Sequence, residues 1–211
     1  MKSFFASLLL SLVLLVPSAQ AAMPGTPEDG KLAFTVMRNS TPIGRHIYSF
    51  ENQGNRQTVK VETRILYKFL GFTIYRFDHD STETWENGRF VELVSTTNDD
   101  GTPISLKAQV SGQNLDITLN GAKSTLAETN LPASLWHAAT PEAAALFDTA
   151  NGRRFAIKGG TIGKDTEAGR QLNHFTLRGE LKRDLWYDEK GLLAHVLFKA
   201  RDESDIRYVR D

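Results

Sequence analysis

The 211-residue chain contains no cysteine. That excludes disulfides, Cys-ligated metals and a lipid anchor carried on an N-terminal cysteine. It also has no excess charge of either sign, with 25 basic and 25 acidic residues. A nucleic-acid partner would want a basic face, and strong electrostatic attachment to anionic lipid would want the same, so neutrality argues against both. No single-residue tract and no internal repeat occurs. No stretch of 10–15 residues has the helical period that parallel βαβ units require. Gly-x-Ser-x-Gly, His-Glu-x-x-His and a P-loop are all missing; Gly159-Gly160-Thr161-Ile162-Gly163-Lys164 lacks both the spacing and the helix of a phosphate loop. No cofactor motif is present, and no metal site is expected.

The one long apolar run is N-terminal. Lys2 precedes Phe4–Val16, Pro17 breaks the run, and Ala19-Gln20-Ala21 supplies a small-x-small site. The run is too short for the roughly 20 residues of a membrane span. The order is that of a secretory signal, so residues 1–21 are expected to be removed after Ala21 and the mature protein to be periplasmic. Residues 22–30, rich in Pro and Gly, read as a flexible tail. Residues 31–211 then form a single domain that does not span the membrane. An outer-membrane barrel would also alternate, but these strands lack aromatic girdles and the chain ends on Arg-Asp rather than on an aromatic residue.

What the chain does contain is alternation. Leu32, Phe34 and Val36 alternate with polar or small residues; so do Val59, Val61, Ile65 and Tyr67, then Ile104, Leu106, Ala108 and Val110, and Leu115, Ile117 and Leu119. Asn-Gly and Asp-Gly signals such as Asn87-Gly88, Asp100-Gly101 and Asn120-Gly121 separate them at about ten-residue intervals. The pattern predicts an all-β antiparallel meander of roughly ten to twelve strands, forming a large curved sheet or open half barrel. One short helix is expected at 141–147, with Thr140 as N-cap and Pro141 at the first position. Leu131–His137, anchored by Leu135 and Trp136, should cross the sheet. Gly159–Gly169 reads as a mobile loop ahead of about four C-terminal strands.

The segment 75–85 carries the chemistry. On a strand, Tyr75, Phe77, His79, Ser81, Glu83 and Trp85 share one face, while Asp78, Asp80, Thr82 and Thr84 share the other. The aromatic face must point inward, which places His79, Ser81 and Glu83 in the core or a cavity, satisfying neighbouring strands or meeting a ligand. The same alternation sends His79 away from both Asp78 and Asp80, so that string is not a metal site. A plain two-residue Asn87-Gly88 turn would put Glu83 opposite Glu92; a three-residue loop instead pairs Trp85 with Arg89 and Glu83 with Val91, and is preferred. A second candidate is the turn Asp188–Gly191, which on a four-residue loop brings Asp184 opposite His195. Ser134 near His137 is a weak nucleophile candidate.

The motifs D-H-D-S-T-E-T-W-E-N-G-R-F (78–90), T-T-N-D-D-G-T-P (96–103), L-P-A-S-L-W (131–136) and L-W-Y-D-E-K-G (185–191) resemble an exported bacterial family known only as a domain of unknown function. The resemblance spans about 31–211. It implies a largely antiparallel β domain and brings no activity, cofactor or catalytic residue. The layout is distantly similar to periplasmic lipoprotein carriers, which cradle acyl chains. The leading expectation is a non-catalytic binding or envelope-associated protein for a lipid-like or other apolar or amphipathic molecule. The alternatives are a hydrolase-like enzyme using His79 and Glu83, or a structural protein that pairs with another envelope protein through a sheet edge.

Overall fold

A computed structural model describes residues 23, 25–127, 130–167 and 169–211. The expected leader and its Ala21 cleavage site lie outside the described residues. Among those residues, no helix is long and apolar enough to cross a membrane.

Fifteen strands build one sheet: β1 (Lys31–Arg38), β2 (Thr41–Gln53), β3 (Arg56–Phe69), β4 (Phe72–Glu86), β5 (Arg89–Asp99), β6 (Thr102–Ser111), β7 (Asn114–Leu119), β8 (Ala122–Ala127), β9 (Leu131–Pro132), β10 (Ala145–Phe147), β11 (Arg154–Glu167), β12 (Arg170–Gly179), β13 (Arg183–Asp188), β14 (Leu193–Lys199) and β15 (Asp205–Arg210). The chain starts in the middle of the sheet. It runs outward from β1 to one edge at β8, reappears at the other edge with β9 and β10, and returns through β11–β15 until β15 pairs with β1. Every neighbouring pair is antiparallel except β9–β10. The edges β8 and β9 do not pair, so the sheet curls without closing. The all-β antiparallel expectation holds, with more strands than the turn count implied.

Alternation positions the core. Phe34 of β1, Tyr48 of β2, Val59 and Val61 of β3, Leu93 of β5 and Leu185 of β13 are buried and belong to one apolar cluster. Leu131–His137 passes through the interior of the curl, as expected. Trp136 is fully buried against Phe50 and Trp85. Tyr48 donates to Ser134 O, and Tyr187 of β13 donates to Leu135 O at 2.8 Å, so both halves of the sheet grip this segment. The expected tail is also tied down where it is described: Pro27 is buried, and Gln57 Nε2 donates to Thr26 Oγ1 at 3.0 Å.

Two local expectations fail. The helix at 141–147 is reduced to a single 3-10 turn, Thr140–Glu142, with Ala139 at the cap, and Ala145–Phe147 is strand β10. Ala145, Leu146 and Phe147 are all buried. A two-turn helix could turn only one stripe inward, and nucleating it is unfavourable; a strand between β9 and β11 buries all three and pairs its backbone on both sides. Most of the supposed loop 159–169 is strand: residues 159–167 belong to β11. Gly159 and Gly160 pair with Leu177 and Thr176. At Gly159 the strand presses on the 3-10 turn: a Cβ there would lie 1.7 Å from Pro141 O. Gly159→Ala should therefore lower stability by about 1–3 kcal/mol through backbone displacement, read as a shift in the urea midpoint. A midpoint equal to the parent's would show that the contact is not tight.

Candidate functional site

Strand β4 sorts its faces largely as the spacing predicts, except that Thr84, expected on the water-facing side, is buried and Asp78 half-buried. His79, Ser81, Glu83 and Trp85 are buried, while Asp80 and Thr82 are exposed. Phe77 is half-buried and Tyr75 sits at the rim, 37% exposed, its hydroxyl donating to Asp99 Oδ1 at 2.8 Å. The register is reached differently from the preferred one. Asn87 and Gly88 form a two-residue turn with φ of 49° and 75°, so Glu86 faces Arg89 and Trp85 faces Phe90. A bulge then skips Val91, placing Glu83 opposite Leu93 and Glu92 opposite Thr84. The Glu83–Glu92 clash is thus avoided by the bulge, not by a longer loop.

Glu83 is fully buried and does not meet His79. Its Oε2 accepts from Trp85 Nε1 and Trp136 Nε1, each at 3.0 Å. Its Oε1 has no partner in hydrogen-bond geometry, though the Ser134 hydroxyl lies close enough to favour the charged form. Burial raises the carboxyl pKa, and the Ser134, Trp136 and Trp85 donors oppose that rise. His79 is four residues away on the same strand, roughly 13 Å. Its Nδ1 hydrogen-bonds Thr97 Oγ1 at 2.7 Å. The two residues that a hydrolase would pair are therefore each held by other partners. Ser134 and His137 are not bonded either: His137 Nδ1 accepts from Ala139 N, and its ring stacks on Trp85 at 4.9 Å.

Two inward-facing rows from Glu83, past Ser81, cross-strand register assembles a polar strip. His46 faces Thr63, Thr63 faces His79, and His79 faces Thr97. His46 Nδ1 bonds Thr63 Oγ1 at 2.7 Å, repeating the His79–Thr97 pair. This strip walls a chamber of about 220 Å³, lined also by Ser81, Asp148, Thr149 and Arg183. His46 Nε2 and Ser81 Oγ have no hydrogen-bond partner there. Burial, with a smaller push from His79, lowers the His46 pKa to about 3; burial lowers that of His79 as well. Both rings are therefore neutral near pH 7, and the fixed cation of the chamber is Arg183.

Arg183 stands at a junction. Phe77, Arg183, Phe198 and Tyr208 line both the chamber and a second, larger groove of about 560 Å³. The groove is walled by Ile43, Ile65, Tyr67, Ile74 and Ile206 among others. The guanidinium packs 3.8 Å from the Phe198 ring centroid and donates to Lys182 O at 2.7 Å. No carboxylate among the described residues lies within ion-pair distance of it. Asp148 shares the chamber, but its Oδ1 accepts from Ala150 N and Asn151 N. Desolvation lowers the Arg183 pKa, against weaker favourable fields from Tyr208 and Asp148. His46 and Arg183 escaped the sequence reading although their signal was present: each alternates with buried aromatic or aliphatic residues, Tyr48 and Phe50 in one case, Leu185 and Tyr187 in the other.

Asp184 and His195 are not brought together. A bulge skips Ala194, so Trp186 faces His195 and Asp184 faces Leu197. Asp184 instead meets Arg178 at 3.1 Å and His174 at 3.5 Å, and His195 pairs with Glu167. Trp186 stacks on His174 at 4.1 Å and donates to Asp165 Oδ2. Among the described residues no group of His, Asp or Glu is arranged to hold a metal ion.

These features can be set beside known proteins. No curated protein matches the chain. A solved structure that does is described as a β-barrel-like protein of domain of unknown function DUF1849 from Brucella abortus. It is 13% identical, with a TM-score of 0.62 over 86% of this chain and 94% of that one. The likeness is one of fold. The model of the family described as domain of unknown function DUF6134 matches residues 34–211, nearly the whole β domain, and the chain belongs to that family.

Proposed function

We propose that this is an exported, periplasmic, non-catalytic binding protein for an amphipathic molecule with an anionic head. The observation that carries the reading is the groove that opens, past Phe77, Phe198 and Tyr208, onto an unpaired guanidinium and a small polar chamber. A groove of about 560 Å³ is within the roughly 300–1,000 Å³ of small-molecule sites. Its aliphatic and aromatic walls suit an alkyl or isoprenoid chain. Arg183 suits a carboxylate or phosphate, because a half-buried cation without a counter-ion gains one when the ligand arrives. The neutral His46 and the Ser81 hydroxyl offer unpartnered polar atoms to the head group.

The test is a titration of the folded protein with a dansyl-labelled long-chain fatty acid, beside an alkyltrimethylammonium salt of equal chain length. The fatty acid should bind saturably and the cation should not. Arg183→Met keeps the packing on Phe198 and should weaken fatty-acid binding at least tenfold, about 1.4 kcal/mol, with a melting temperature no lower than the parent's. Equal affinity for both amphiphiles, or unchanged affinity in the variant, would remove Arg183 from the site.

A further inference from the structure

The longest hairpin of the sheet has an apolar end. The β3–β4 ladder continues to Phe69↔Phe72, whereas β3 last pairs with β2 at Ile65 and β4 last pairs with β5 at Phe77. Residues 66–76 therefore project as a two-stranded finger beyond both neighbours. Among the described residues, the exposed large hydrophobic side chains other than Val94 and Ile162 are on this finger: Leu66, Phe69, Leu70, Phe72, Ile74 and Tyr75. Leu70 at the very tip is 81% exposed. At the tip, Phe69, Leu70 and Phe72 are each more than half exposed, so the fold gains little from their being apolar.

The turn itself adds an independent observation. Leu70 and Gly71 have φ of 48° and 84°, a two-residue turn of the same kind as Asn87-Gly88, Asp100-Gly101 and Asn120-Gly121. Those three carry Asn or Asp at the first position, where a positive φ is tolerated; a leucine there strains against its own carbonyl. Among the described residues Leu135 is the other leucine with a positive φ, at 68°, but it is buried. Leu70 has no such compensation within the molecule. The strain and the exposure together point outward, to an environment that takes up leucine and phenylalanine.

We propose that the finger inserts into the interfacial layer of a lipid bilayer with anionic head groups. Residues 64–76 contain Arg64, Lys68 and Arg76 and no Asp or Glu. Arg64 and Arg76 pair with Asp80 and Asp78 further down the strand, which leaves Lys68, beside Phe69, without an acidic partner. Aromatic and aliphatic side chains flanked by a lysine with a flexible stem are the composition of an interfacial anchor. The near-zero charge of the whole chain does not oppose this, because attachment rests on the buried apolar tip, with the cation secondary. The finger also bears Tyr67, Ile74 and Tyr75, which wall the groove described above, so insertion would bring the groove mouth to the lipid surface. The inference does not depend on what the groove holds.

Co-sedimentation with phosphatidylcholine vesicles containing phosphatidylglycerol tests it directly. The parent should sediment with these vesicles and less with pure phosphatidylcholine. Leu70→Asn should cut the bound fraction severalfold while leaving the melting temperature equal or higher, because it restores the turn residue of the sister hairpins. The two readouts thus move in opposite directions, which a merely structural role could not produce. Phe69→Ser combined with Phe72→Ser should abolish binding. Leu70→Trp should show a blue-shifted emission, quenched by brominated lipid, when vesicles are added. Absence of vesicle binding by the parent would overturn the proposal, as would undiminished binding by the tip variants. A concentration-dependent dimer, seen by sedimentation velocity without lipid and abolished by Leu70→Asn, would assign the finger to a second copy of the chain instead.

Discussion

Glu83→Ala lowers the unfolding free energy by about 3–5 kcal/mol, whereas Glu83→Gln changes it by no more than about 1 kcal/mol; these are the expected results of urea titrations at pH 7. Alanine removes the shared acceptor of Trp85 Nε1 and Trp136 Nε1. Both indoles are at most 1% exposed, so neither N–H can turn to water. Leaving a buried donor unpaired costs about 1–3 kcal/mol each, and the vacated space adds to that. Glutamine keeps an oxygen facing the two indoles and removes a charge that burial already disfavours. Its amide takes the place of Oε1, where the Ser134 hydroxyl can accept. If the alanine variant were as stable as the parent, the carboxylate bridge between strand and crossing segment would have no mechanical value. If glutamine were as damaging as alanine, the charge rather than the acceptor would be what matters.

Acid should weaken the fold well above the range where surface carboxylates titrate. His46 has an ordinary pKa of 6.5 and a folded-state value of about 3. Between those limits the unfolded chain binds a proton that the folded chain refuses, so stability is complete above pH 6.5 and falls as pH drops toward 3. At about 1.36 kcal/mol per pH unit, the loss from pH 6.5 to pH 4 is on the order of 3 kcal/mol. His79, lowered by burial, acts in the same direction. Glu83 acts in the opposite one. Its raised pKa means that the folded state takes up a proton more readily, which returns part of the loss as pH falls through that raised value. His46→Phe preserves the ring contacts with Phe34, Tyr48 and Tyr208 and should flatten the profile between pH 6.5 and 4. A variant with the parent's slope would place the acid sensitivity elsewhere.

The strands and the inward face of β4 were legible because period two is a property of the backbone, independent of partners. His79, Ser81, Glu83 and Trp85 needed only counting. Partners were not legible. Two bulges, at Val91 and Ala194, each shift a register by one residue, and no pattern in the sequence marks them. Each adds to a turn that is itself one residue longer or shorter than expected, so Asp184 faces Leu197 rather than His195, and Glu83 faces Leu93 rather than Val91. Gly159 misled differently: composition reads it as freedom, while the structure uses it for close approach to Pro141. Arg183 shows a third cause. Lysine and arginine at the start of a strand usually face water, and only the two alternating buried residues after it disclose that it faces in.

The pairing of β15 with β1 has a consequence for the order in which the molecule can assemble. Reordered by position, the strands run β9 to β15 and then β1 to β8, so the covalent chain is a simple meander cut in its middle and rejoined at its edges. Hairpins β1–β8 can form as they emerge, each closing a short loop. Strand β1, however, keeps a bare edge until residues 205–210 arrive, because Phe34 pairs with Arg210 and Val36 with Tyr208. That contact closes a loop of nearly the whole domain, the slowest kind of step and the one most exposed to wrong partners. Until it closes, the middle of the future sheet is an open template for another chain. The six residues of β15 therefore govern whether an incomplete molecule stays single, out of proportion to the surface they bury.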